Sequence, residues 1–212
     1  AQDLKEGLPE YFTRNFHFQT DGYLSEASAR RYDHQVEILF TGAAGAMRRQ
    51  ILPILKNAAN PQGHWLEVAC GAGSATRAVL ETFPKTKVTA LDISGPYLKV
   101  AQEKLKKYPR VDFTQSNAAQ LDFKDETFDV VYSVYLLHEL PRKEREKVLH
   151  EAYRVLKPGG LLLIADSLQI NDEPELNWAL ERFPKIYHEP FYKDYLNDNL
   201  EALLSKVSNQ TA

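Results

Sequence analysis

The chain has 212 residues, a formal charge of -3 and a pI of 6.1, with 43% hydrophobic and 26% charged residues. That length suits one sizeable core with an accessory segment rather than two full domains, and the charge offers no basic field to recruit nucleic acid. A single cysteine, Cys70, excludes an internal disulfide, no Cys/His cluster has metal-ligand spacing, and no apolar run reaches membrane-spanning length. The opening AQDLKEGLPE lacks the charged and apolar regions of a secretory signal. A cytoplasmic setting is therefore expected, or an organelle matrix or stroma if a targeting peptide has been removed.

In chain order, residues 8–32 are dense in aromatic groups, including Tyr11, Phe12, Phe16, Phe18, Tyr23 and Tyr32 around His17, which is unlike a disordered tail. Two helices are expected over 25–40 and 43–57, the second bent or broken at Pro53. A strand over 65–69 then turns into a helix over 75–83 through Cys70-Gly71-Ala72-Gly73. The two glycines can take backbone angles closed to other residues, so a ligand can press against bare backbone. A dinucleotide site wants a third glycine where Thr76 stands, and Glu67 within the strand would repel phosphate and suit an ammonium. A nucleoside without phosphate is thus a better ligand than a nicotinamide dinucleotide.

Residues 87–93 (KVTALDI) form a second strand ending near Asp92, about 20 residues beyond the first glycine, where a carboxylate can accept from both ribose hydroxyls. Ser94 is the better N-cap for the helix of 96–107, which leaves Asp92 for a ligand. A short strand over 111–115 and a strong one over 128–135 follow. Next come a helix over 142–156, closed by Lys157-Pro158-Gly159-Gly160, and a fifth strand over 161–166. Such alternation implies a Rossmann-like, doubly wound parallel α/β sheet with helices on both faces and an N-terminal helical extension. Ligands bind beyond the carboxyl ends of such strands. Asn117, Ser133, His138 and Asp166 are candidates on that ground, while Asp129 begins its strand at the opposite edge.

These motifs together resemble the class I S-adenosylmethionine-dependent methyltransferases. Residues 66–73 resemble the first motif, Asp92 the acidic second, Asn117-Ala118 the adenine-contacting third, 128–140 the fourth, and EAYRVLKPGG the approach to the fifth strand. They span roughly half the chain, and the likeness is to the branch that holds small-molecule and quinone-biosynthesis enzymes. The resemblance implies S-adenosyl-L-methionine as cofactor and a methyl group passed by in-line displacement to a small acceptor. It assigns Glu67, Ala69, Gly71 and Gly73 to the aminoacid end of the cofactor, Asp92 to the ribose, and Ile93, Asn117 and Ala118 to adenine. Asn117 stands where the family usually has Asp; its amide oxygen can still accept. Ser133 either offers a backbone carbonyl to the ammonium or is a small packing residue. Tyr32, in a Tyr-Asp pair with Asp33, is assigned to the carboxylate end, where Arg30 or Arg31 is a second partner.

His138, after the fourth strand, is the candidate for acid-base catalysis because an imidazole titrates near neutrality; the alternative is that it packs and orders its loop. Glu139 is expected to precede a helix rather than to orient His138. The flanks are expected to choose an apolar or aromatic acceptor, with His17, Tyr23, Tyr187, His188 and Tyr192 lining its pocket. The implied division is a helical cap or lid over 1–60, a cofactor-binding core over 61–170 and a helical segment over 171–212. The family's sheet has seven strands in the order 3-2-1-4-5-7-6, but after a helix over 192–204 only SKVSNQTA remains, which reads as a polar tail. Either the sequence is incomplete or rearranged near Leu204, or strands six and seven are missing and the fifth becomes an edge that a second copy could cover. The alternative function is a non-catalytic protein that binds the cofactor or its product, or serves as a scaffold.

Overall fold

The computed structural model describes residues 7–14, 21–57 and 60–210, the last two by their backbone alone. Among these, a 3-10 turn at Glu10–Thr13 and the helices α1 (Glu26–Leu39), α2 (Ala44–Arg49) and α3 (Ile51–Lys56) precede the first strand. The sheet consists of β1 (His64–Val68), β2 (Lys87–Asp92), β3 (Val111–Gln115), β4 (Phe128–Val134) and β5 (Leu156–Ala165). Its order is β3-β2-β1-β4-β5 and every pair is parallel. Helices α4 (Ser74–Thr82) and α5 (Gly95–Leu105) follow β1 and β2, and α6 (Arg142–Arg154) joins β4 to β5. Helices α7 (Asn177–Tyr187), α8 (Tyr192–Leu196) and α9 (Leu200–Gln210) come after the sheet.

Successive strand side chains point to opposite faces, and both faces are covered. Leu66, Val68 and Val131 pack with Val148 and Leu149 of α6 and with Leu203 and Val207 of α9. Trp65, Val130 and Tyr132 pack on the other face with Ile51 and Leu55 of α3 and Val79 and Leu80 of α4. The strand order reverses between β1 and β4, and such a switch point opens a crevice beyond the carboxyl ends. Asp129 lies at the other end of the sheet as expected, accepting the His64 amide at 2.8 Å and pairing with Lys157 at 3.0 Å.

Four local expectations need correction. The helix of 43–57 breaks at Gln50, not Pro53: Pro53 sits in the first turn of α3, where its missing N–H has no helical partner to lose. The helix of 192–204 is two, separated where Asn199 caps α9 by accepting the Ala202 amide at 2.8 Å. Residues 205–210 continue α9 rather than forming a tail, and Val207 is buried in the core. The fifth strand also starts earlier than expected, at Leu156, so the Pro-Gly-Gly lies within it at a register shift opposite Phe128 and Val130. Its outer edge pairs with no strand among the described residues.

The turn from β1 into α4 packs closely against α5. Gly73 caps α4 at φ 84°, and a Cβ placed there would sit 2.8 Å from Leu105 Cδ1 and 3.2 Å from Ala101 Cβ of α5. Gly73→Ala combines left-handed strain with overpacking and should lower stability by about 2–4 kcal/mol. Urea denaturation of the two proteins checks this; a loss below about 1 kcal/mol would mean that α5 yields freely.

Candidate active site

The strand ends and the flanking helices enclose one cavity of about 810 Å³. At its floor, the Cys70 amide donates to Leu91 O (2.8 Å) and the Gly71 amide to Asp92 Oδ2 (2.8 Å), which ties the ends of β1 and β2 together. Gly71 lies at φ 55°, and a Cβ there would meet nothing within 4 Å, so its bare backbone faces open cavity. Ala69 after β1 and Tyr135 after β4 both hold φ 60°, and both line the cavity. Such strained non-glycine backbone gathers at functional sites.

Two buried carboxyls lie on this floor. Burial pushes Glu67 up to about 7, against hydrogen bonds that include one donated by the Tyr132 hydroxyl at 2.8 Å, and Asp92 adds a smaller upward push. Burial likewise lifts Asp92 to about 6, although Ser94 and Gly71 amides donate to it.

Of the expected cofactor residues, Glu67, Ala69, Gly71, Asp92, Ile93, Asn117, Ala118 and Tyr32 line the cavity. Gly73 and Ser133 do not. Gly73 is turned to Leu105 of α5, and the buried Ser133 hydroxyl donates to Val68 O at 3.0 Å, fastening β4 to β1; Val134 and Tyr135 line the cavity instead. Asn117 Oδ1 already accepts the Ala119 amide at 2.9 Å, which leaves one acceptor position on that oxygen. Arg30 is spent on the surface with Glu103 at 2.7 Å and Glu26 at 3.5 Å, and the exposed Arg31 is equally outside the cavity. Arg48 of α2 is the cation that lines it, 12% exposed and 3.7 Å from Asp33, which Lys104 also reaches at 2.7 Å. Sequence reasoning passed over Arg48; the signal was a charged residue beside Ala44 and Met47 on what proves to be the helix's cavity side.

At the acceptor end, Tyr23, Tyr187 and Tyr192 line the cavity, while His17 lies outside the described residues. His188 is exposed and closes α7 in the left-handed region (φ 54°); its neighbour Glu189 lines the cavity in its place. The Tyr23 hydroxyl donates to Glu139 Oε1 at 2.6 Å, so Glu139 joins the N-terminal segment to the 3-10 turn Leu137–Glu139 instead of merely preceding α6. His138 lines the cavity with Nδ1 2.6 Å from Asp166 Oδ1. Burial alone would lower its value, but the charge and hydrogen bond of Asp166 outweigh that and raise it to about 9. Against the expectation of an imidazole titrating near neutrality, the Asp166 carboxylate shifts His138 upward and favours its charged form.

A parallel sheet with this switch point, a glycine turn and an acidic end to β2 is the frame of the nucleoside-binding Rossmann-like folds, and within them the chain belongs to the class I S-adenosylmethionine-dependent methyltransferases, as its relatives show. Residues 66–160 match the family model described as a methyltransferase domain. The chain is 32% identical over 179 residues to the demethylmenaquinone methyltransferase of Lactiplantibacillus plantarum, covering 81% of this chain and 74% of that one. It is 32% identical over 166 residues to the ubiquinone/menaquinone biosynthesis C-methyltransferase of Brucella abortus, covering 74% of this chain but 61% of that one. A candidate methyltransferase from Bacillus halodurans superposes with a TM-score of 0.57 at 28% identity, covering 78% of this chain and 68% of that one. A chain from a complex of the Haloferax volcanii Trm112 methyltransferase activator shares the fold alone, with a TM-score of 0.65 at 17% identity over 86% and 74% of the two chains. The two relatives at 32% identity are both named as methyltransferases, which does not favour the scaffolding alternative. No helix among the described residues is long and apolar enough to cross a membrane.

The cofactor's aminoacid end and ribose suit this floor: it offers an open backbone cradle at Gly71 and two buried carboxyls that want a cation or a hydroxyl. Glu67 and Asp92 titrate above their ordinary values of 4.5 and 3.8 in the fold. The folded chain thus holds more protons than the unfolded one between about pH 4 and 7, and stability is full below that window and lost as pH rises through it. Glu67→Gln removes its share. The ligand-free variant should exceed wild type at pH 8 by about 1–3 kcal/mol and match it at pH 4, as read by urea denaturation at both values.

Proposed function

We propose that the chain transfers a methyl group from S-adenosylmethionine to a small, apolar or aromatic acceptor of the quinol type. The observation that carries this is a single cavity lined at one end by the motif residues and at the other by Tyr11, Phe12, Phe183, Tyr187 and Tyr192. About 810 Å³ is near the upper range for one drug-sized ligand, which leaves room for a cofactor and a modest acceptor side by side. The two enzymes at 32% identity, named for menaquinone and ubiquinone synthesis, support the acceptor class.

When bound, the cofactor supplies an electrophilic methyl: its S–CH3 bond breaks with the electron pair left on sulfur as the acceptor's nucleophile bonds to the carbon. The chain's own residues align, hold charge and exclude water. Asp92 accepts from the ribose, Ile93 and Ala118 pack on adenine, and the Asn117 amide reads its edge. Glu67, ionised by the ammonium, holds one side of the aminoacid end, with the backbone at Gly71. Arg48 and Tyr32 take the carboxylate, a role assigned to Arg48 by its place in the cavity. The reading also includes a cytoplasmic setting, no nucleic-acid partner, and a second copy over the outer edge of β5.

Incubation with labelled S-adenosylmethionine and short-chain demethylmenaquinol should give labelled product. Binding of S-adenosylhomocysteine without transfer to any quinol would sink the acceptor class. Arg48→Ala should weaken S-adenosylhomocysteine about tenfold or more in calorimetry, the loss of a charge-assisted hydrogen bond; unchanged affinity would remove Arg48 from the site.

A further inference from the structure

The turn that carries His138 is gripped from two sides. Asp166, just past β5 and with 2% of its side chain exposed, accepts the amides of Leu136 (3.0 Å) and Leu137 (2.6 Å) on Oδ2. Its Oδ1 accepts the Ser167 amide (2.8 Å) and faces His138 Nδ1 (2.6 Å). Arg145 of α6, fully buried, donates Nε to Leu137 O (3.0 Å) and Nη2 to Leu140 O (3.0 Å). The rest of its guanidinium pairs with Asp194 at 2.7 Å and with Asp198, both beyond β5. Amides of the turn thus meet a carboxylate and its carbonyls a guanidinium.

That grip leaves the ring little choice. Nδ1 is spent on Asp166, and Tyr135, Tyr192 and Tyr195 stand edge-on around the imidazole at 6.4, 5.6 and 6.2 Å. Glu139 Oε1, at 4.0 Å from Nε2, is beyond hydrogen-bond reach. We propose that Asp166 and Arg145 are positioning residues that hold His138 with Nε2–H presented to the cavity, where it donates to an oxygen of the acceptor. The acceptor class is then one with a hydroxyl or carbonyl oxygen beside the methylated atom, or as that atom. An ammonium, which only donates, does not fit. The inference rests on the methyltransferase reading for its acceptor and on the turn's own bonds for its geometry.

The charge state of His138 agrees. The groups facing it are Asp166 just past β5, Glu139 on its own turn, Glu189 before α8, and the rings of Tyr135, Tyr192 and Tyr195. Asp166 outweighs burial and keeps the ring protonated up to about pH 9. A protonated ring donates from Nε2 and cannot serve there as a base.

Two measurements test this. In the first, NMR titration of 13C-labelled imidazoles follows His138 in the full chain without acceptor. Wild type should titrate at about 9 and Asp166→Asn at least about one unit lower; a wild-type midpoint at or below 6.5 overturns the proposal. In the second, kcat/KM for short-chain demethylmenaquinol is measured against pH. It should fall as pH rises through the His138 titration, and the fall should move to lower pH in Asp166→Asn, with activity about tenfold or more below wild type. A rate that rises through that titration assigns His138 as a base and overturns the donor role, as does Asp166→Asn within twofold of wild type. Arg145→Lys, which cannot fork to both carbonyls and both acids, should lose kcat similarly; if it does not fold, Asp166→Asn alone decides. Binding of S-adenosylhomocysteine within twofold of wild type in each folded variant separates lost positioning from a lost cofactor site. Absent binding in wild type would sink the methyltransferase reading while the NMR result still judges the turn.

Discussion

The cavity depends on the hydrogen bond that the Gly71 amide donates to Asp92 Oδ2. A parallel pair of strands leaves its last amides without ladder partners, and buried backbone donors must find some. Here β1 ends by giving the Cys70 amide to Leu91 O and the next amide to the Asp92 carboxylate. The chain reaches that geometry by turning left-handed at Ala69, Gly71 and Gly73. The same bend opens the floor above Gly71 and draws Asp92 down into the protein. Ligand-free, the floor therefore holds two carboxyls whose ionisation burial opposes, and a cationic or hydroxyl-bearing ligand relieves both. Binding capacity and ligand-free stability are opposed at one place.

Much of this floor was legible in the sequence because it is local. An apolar run is buried on both faces whatever surrounds it, glycines mark left-handed turns, and Ser94 caps α5 by accepting the Tyr97 amide as expected. The residues that sequence left open or assigned elsewhere depend on contacts distant in the chain. Gly73 was taken for a ligand contact, yet its missing side chain serves Leu105, more than one helix away. Ser133 spans to β1, and only the register of β1 with β4 shows that. Arg48 and Arg49 are neighbours of one chemistry; the packing of α2 decides that Arg48 enters the cavity and Arg49 stays exposed.

The aromatic flanks follow the same division. Their richness marked them as ordered, but not what they would hold. In the fold, Tyr23 comes from the N-terminal side to Glu139 of one short turn, and Tyr192 from the C-terminal side to Ser167, next to the Asp166 that holds that turn. The helices after β5 are not appendages, since α9 buries Leu203 and Val207 in the main core and α8 sends Asp194 toward Arg145. The segments that line the cavity thus also build the core.

Burial acts on Glu67, Asp92 and His138 alike, but it does not decide their charge alone. Desolvation disfavours the charged form of each, and for Glu67 and Asp92 it wins, because their partners are neutral amides and hydroxyls. His138 suffers the same penalty and ends on the opposite side, because its partner is a carboxylate within 2.6 Å. Two ends of one cavity therefore differ in charge through pairing rather than depth. The end at Glu67 and Asp92 carries carboxyls that a cation can ionise, and the end at His138 carries an imidazole whose charged form Asp166 favours. Such divergence between titratable groups in a shared environment is how a site separates the tasks of holding a cation and holding an oxygen.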